Sequence, residues 1–136
     1  MADTSPFVIK PDEREPLDTP HHENMVAREL VNPDHGSDNV VFRITEIEPG
    51  KRAVDDWHVH DDIDQLVYVL EGVGRLRMSE TGDDADAVSR DIEPDTFVFL
   101  PSGTYHNIWS AGETTLRMIV IWAPPYESFD DWDVND

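Results

Sequence analysis

The 136 residues, 38% hydrophobic and 9% aromatic, supply one hydrophobic core and are too few for two stacked domains. Cysteine is absent, which excludes a disulfide framework, a thiolate metal site and a cysteine nucleophile, so any metal here needs His, carboxylate or amide ligands. A net charge of -20, from 30 acidic against 10 basic residues, makes nucleic acid a poor partner, because phosphate binding depends on a basic surface.

No run of about 18 apolar residues occurs. Met1-Ala2-Asp3-Thr4-Ser5-Pro6 lacks the basic stretch and apolar block of a secretory signal, so the expectation is a cytoplasmic protein with no membrane attachment. Residues 1–38 hold Pro6, Pro11, Pro16, Pro20 and Pro33 among scattered charges and read as an extended N-terminal arm. Within it, Met25 to Val31 has the composition of a strand that pairs either with the body or with a second subunit; its edge character points to a homodimer.

Residues 39–125 read as an all-β body. Short β-rich runs recur over Val40 to Ile47, Trp57 to His60, Gln65 to Leu70, Gly74 to Met78, Asp86 to Ile92, Thr96 to Leu100, His106 to Ser110 and Thr115 to Trp122. Gly, Pro and Asp punctuate them, as at Glu48-Pro49-Gly50 and Glu93-Pro94-Asp95. Eight short strands in so few residues predict a sandwich or barrel. Residues 126–136 form an acidic tail with Tyr126, Phe129 and Trp132.

His58 and His60 stand two apart in a β-rich run, so on a strand both rings project from one face. Gln65 opens the next run and can bring its amide oxygen to the same side. His106 follows the stiff turn Pro101-Ser102-Gly103-Thr104-Tyr105 and closes the set. Three imidazoles and an amide oxygen suit Zn, Ni, Fe(II), Mn or Co, with room left for water or substrate. An isolated His-x-His is more often structural than ligating; it is the second, separated histidine motif that favours a metal.

The stretch Gly50, His58-Val59-His60, Gln65, Gly72 resembles the first motif of the cupin superfamily, and Pro101 to His106 resembles the second. The resemblance spans about residues 40 to 124. It implies a small antiparallel jelly-roll barrel with an internal divalent metal on His58, His60, Gln65 and His106. Three positions depart from the family pattern: Gln65 replaces the usual Glu, Asp95 a frequent Gly, and Ser110 a frequent Asn. A neutral amide in place of a carboxylate leaves one more unit of positive charge on the ion, which favours Lewis-acid over Fe(III) chemistry. The three-His plus Gln set is similar to that of cupins that linearise unsaturated uronates, and to some dimethylsulfoniopropionate lyases and polyketide cyclases. The uronate group carries an acidic residue on the last strand, where Val120 aligns.

Of the aromatics near the motifs, Tyr68 and Tyr105 are the candidate proton donors. Asp55, Asp56, Asp61, Asp62 and Asp64 bracket the histidine pair and offer a base or an acceptor behind a ligand. An inward Arg75, Arg77 or Arg117 would hold a carboxylate. His21, His22 and His35 read as solvated. The expected function is a divalent-metal lyase or isomerase acting on a sugar acid or other small carboxylate; the alternatives are a metal-dependent dioxygenase and a non-catalytic small-molecule binding cupin.

The acidity also has a halophilic pattern. Lys10 and Lys51 are the only lysines beside eight arginines, and Asp outnumbers Glu by 19 to 11. Such a charge repels itself in dilute buffer and is screened within about 3 Å in molar salt. Thermal melts should therefore shift upward between low salt and molar KCl; an unchanged midpoint would contradict a salt requirement.

Overall fold

The computed structural model describes residues 5–17, 25–50, 57–125 and 133–135. Ten strands follow in order: β1 (Met25–Val31), β2 (Val41–Ile47), β3 (Trp57–Val59), β4 (Asp64–Glu71), β5 (Gly74–Ser79), β6 (Val88–Ile92), β7 (Phe97–Leu100), β8 (Tyr105–Ser110), β9 (Leu116–Ala123) and β10 (Asp133–Asn135). They form two antiparallel five-stranded sheets, ordered β1-β2-β9-β4-β7 and β10-β3-β8-β5-β6. Among the described residues the only helical pieces are three single 3₁₀ turns, and no helix is long and apolar enough to cross a membrane. This is the all-β jelly-roll arrangement the sequence predicts.

Period-two alternation builds the barrel. Along β9, Leu116, Met118, Val120 and Trp122 are buried while the residues between them are partly exposed; Gln65, Val67 and Val69 do the same on β4. These inward rows meet Leu76, Ile92 and Ile108 of the facing sheet in one core.

The strand Met25–Val31 pairs with the body, lying antiparallel to β2 with Ala27 opposite Thr45 and Glu29 opposite Arg43. The preceding segment docks on it. Leu17 bridges Ala27, Arg14 Nη2 donates to the Leu30 carbonyl (3.0 Å), and Arg28 Nη1 donates to the Arg14 carbonyl (2.6 Å).

Most strand boundaries lie within a residue of the sequence expectation, and two of the differences have clear local reasons. The run beginning at Asp86 enters its strand only at Val88, because Asp84–Asp86 forms a 3₁₀ turn whose Ala85 N–H is capped by the Asp83 carboxylate (2.9 Å). His60 lies just past β3, where its carbonyl accepts from Gly103 N–H (2.9 Å). The family-atypical Asp95 stands at φ 70°, a left-handed conformation that Gly adopts freely and Asp tolerates better than most residues.

Gly72 joins β4 to β5 at φ 83°, and a Cβ there would press on the Thr115 carbonyl oxygen and come within 2.9 Å of Leu116 Cα. Both the backbone conformation and the space require glycine. Gly72→Ala should lower unfolding free energy by roughly 2 to 4 kcal/mol in a denaturant titration; a loss under about 0.5 kcal/mol would show that the turn relaxes freely.

Candidate metal centre

The cavity lies between the two sheets and measures about 50 Å³, room for an ion and a few small ligand atoms. His58 on β3 and His106 on β8 are direct cross-strand partners, and their rings stack with centroids 5.4 Å apart. His60 follows at two residues' spacing, its ring 4.5 Å from that of His58 and 5.6 Å from that of His106. All three are buried, and one ligand nitrogen from each lies within 4.8 Å of the others, close enough for one ion to reach all three.

Gln65 comes from the opposite sheet, opposite both Trp122 and Leu100. It lines the same cavity, and its Oε1 is buried with no hydrogen-bond partner among the described residues. A buried amide oxygen is costly to leave unsatisfied, so an ion at this place would relieve it.

His106 is held as a ligand should be. Its Nδ1–H donates to the Thr104 carbonyl oxygen at 3.0 Å, which leaves the Nε2 lone pair unprotonated for a metal. Burial, only partly opposed by that hydrogen bond, lowers its pKa from 6.5 to about 4. At neutral pH the His106 ring is therefore ready to ligate without a proton having to leave.

The two candidate proton donors are not brought into the cavity wall. Tyr68 alternates with the inward Gln65, Val67 and Val69 on β4, so period-two geometry turns it away, and Tyr105 stands at the start of β8, just before His106. Neither lines the cavity. The candidate carboxylate-binding arginines also face elsewhere: Arg75 pairs with Asp91 (2.6 Å), Arg77 with Asp84, and Arg117 with Glu46 (3.8 Å), on partly exposed ground.

Asp61, Asp62 and Asp64 are exposed. Two of them clamp the second motif's turn, since Ser102 Oγ accepts from Asp62 N–H (2.8 Å) and Ser102 N–H donates to Asp64 Oδ1 (3.1 Å). His35 sits in the Pro33–His35 turn and does not line the cavity. Asp55, Asp56, His21, His22 and the aromatics of the tail lie outside the described residues.

Among the cavity residues that the sequence patterns do not single out, Arg43 is the charged one. It is 1% exposed, lies on β2 with Thr45 on the cavity wall, and forms an ion pair with buried Glu29 of β1. Its guanidinium carbon stands 4.6 Å from the Trp122 ring centroid, and the edge of Trp122 meets His60 at 5.8 Å. The available signal was strand parity, because Val41, Arg43, Thr45 and Ile47 form one inward row.

In metal-free protein the depressed His106 pKa has a definite consequence. Below pH 6.5 the unfolded chain binds a proton at this ring that the folded state refuses, so stability falls as pH drops from 6.5 toward about 4. The slope from this one group is about 1.4 kcal/mol per pH unit. Urea midpoints at pH 7 and pH 5 should converge in a His106→Asn variant relative to the native chain; an identical acid loss in both would assign the effect elsewhere.

A family model described as cupin domain matches residues 43–122. The uncharacterized protein YrkC of Bacillus subtilis (strain 168) is 28% identical over 88 residues, 65% of this chain, and the chain spans about half of that relative's length, 47%. Among solved structures, the polyketide cyclase RemF from Streptomyces resistomycificus superimposes with a TM-score of 0.74 at 20% identity, over 91% of this chain and 83% of that one. Oxalate decarboxylase from Bacillus subtilis gives 0.71 at 17% identity, over 87% of this chain and 29% of that one. With the family match covering more than half of the sequence, and with a two-sheet barrel closed around the paired histidine motifs, the chain belongs to the cupin domain family.

Proposed function

We propose that this cupin binds one divalent metal through His58, His60, His106 and Gln65, and presents it to a small oxygen-rich anion such as a sugar acid or other carboxylate. The observation that carries the reading is the cluster of three buried imidazoles, one of them locked in the ligating tautomer, in a cavity also lined by Gln65, whose buried Oε1 is unsatisfied. A divalent ion in such a place supplies Lewis-acid polarisation of a carbonyl, enol or carboxylate oxygen. Lyase or isomerase chemistry fits a set of neutral donors, which leaves the ion's charge undiminished.

The chain's own residues orient and enclose. Trp122, Val120 and Ile108 form an apolar wall that excludes water, and Arg43 with Thr45 supplies polar edges. The named structural neighbours are a cyclase and a decarboxylase, and both activities act on oxygen-bearing carbon skeletons; at their level of identity they support a shared barrel on which such chemistry is built.

A second reading is a non-catalytic binding cupin. It is favoured by the described cavity lining, in which imidazole is the only group able to move a proton near neutral pH. The expected homodimer belongs to either reading, and the half-exposed Phe97 and Phe99 on edge strand β7 give it an apolar surface.

The first experiment is elemental analysis of untagged protein purified in molar salt without chelator, beside His58→Ala and His106→Ala. About one equivalent of metal should accompany the native chain and fall below a tenth of that in both variants. No metal in the native chain after reconstitution would refute the metal reading. Zn, Ni or Mn would support Lewis-acid chemistry, whereas Fe with oxygen uptake would transfer the case to a dioxygenase.

A further inference from the structure

We propose that Glu29 sets the cation affinity of the histidine cavity by cancelling the charge that Arg43 places on its wall. The inference rests on the metal-binding reading and extends it to a residue outside the family match, which begins at Arg43.

Among the described residues lining the cavity, Arg43 alone carries a permanent charge. Its contact with Trp122, and that of Trp122 with His60, place the guanidinium within about 10 Å of the His60 ring. Because the donors His58, His60, His106 and Gln65 include no carboxylate, none of them offsets a second cation nearby. An uncompensated guanidinium at that separation, in surroundings of effective dielectric about 20 to 40, weakens divalent binding by roughly one to two orders of magnitude. Molar salt screens a buried pair far less than a surface one.

Glu29 is built to cancel that charge. It stands directly opposite Arg43 in the β1–β2 register, so both side chains fall on the same face. One carboxylate oxygen takes the ion pair from Arg43 Nη2, and the other accepts from Asn32 Nδ2 at 2.7 Å. Both members are almost fully buried. Strand β1 therefore delivers the counter-charge to the cavity wall.

The test is Zn(II) affinity, read by competition with a chromophoric chelator in molar KCl, with a thermal melt confirming that each protein is folded. Glu29→Gln should bind Zn(II) about tenfold to a hundredfold more weakly than the native chain. Adding Arg43→Met to it should restore native affinity, because both charges are then gone. Arg43→Met alone keeps the carboxylate and should bind more tightly than the double variant by a similar factor. This last pair decides the matter if Glu29→Gln fails to fold, with equal affinities overturning the proposal. Equal affinity of Glu29→Gln and native protein, or a double variant as weak as the single, also overturns it. A native chain that binds no Zn(II) would instead refute the metal reading beneath it.

Discussion

The cavity depends on one backbone pairing, that of His58 with His106 across β3 and β8. Directly opposed residues of antiparallel strands send their side chains to the same face about 5 Å apart, so one register places two imidazoles together. A slip of one residue would reverse the facing of every side chain on β3. The turn of the second motif secures this register from both sides. Gly103 N–H holds the His60 carbonyl, Thr104 O sets the His106 tautomer, and Ser102 is tied to Asp62 and Asp64. The acidic residues beside the histidine pair thus act on the turn, and through it on the rings.

Charge is distributed with a clear division between surface and cavity. The chain carries 30 acidic residues, yet no carboxylate is found among the described cavity-lining residues; Glu29 stands behind Arg43 instead. The acidic surface draws cations toward the protein at low ionic strength. Inside, neutral donors would leave an ion's full charge facing any ligand, so a small anion is favoured at short range even though the surface repels it at long range. High salt suppresses the second effect and spares the first. A strongly acidic cupin and an anionic ligand are therefore compatible, and most so at high ionic strength.

How far this could be read from the residues depends on the range of the interaction concerned. His58, His60, Gln65 and His106 were legible because two short motifs each impose local geometry, and the eight runs of the body were legible because burial enforces alternation. Tyr68 and Tyr105 adjoin the motif residues in sequence yet do not line the cavity, and on β4 strand parity turns Tyr68 away from the face of Gln65. Arg43 went unmarked although its parity was readable, since a charged residue in an inward row makes sense only once Glu29 is known to lie opposite. That pairing joins residues 14 apart across a Pro-containing connection, and nothing local specifies its register. The same long-range character left open whether β1 would pair with the body or with another subunit.

The cavity draws on the arm as well as on the barrel. Residues 43–122 carry the family pattern and the four candidate ligands, but the cavity wall is completed by Met25 from β1, and the only permanent charge on its described lining is balanced by Glu29 from the same strand. A jelly-roll barrel hosts many chemistries, so the barrel alone does not distinguish this protein from its structural neighbours. Three local features bear on the charge at this cavity: an amide where the family pattern usually has a carboxylate, an apolar Val120 on the last strand, and a buried guanidinium paired with Glu29 from outside the family segment. Each of them would act on a bound ion through charge while leaving the surrounding fold intact, so the proposed choice of metal and ligand would turn on electrostatics more than on the shape of the barrel.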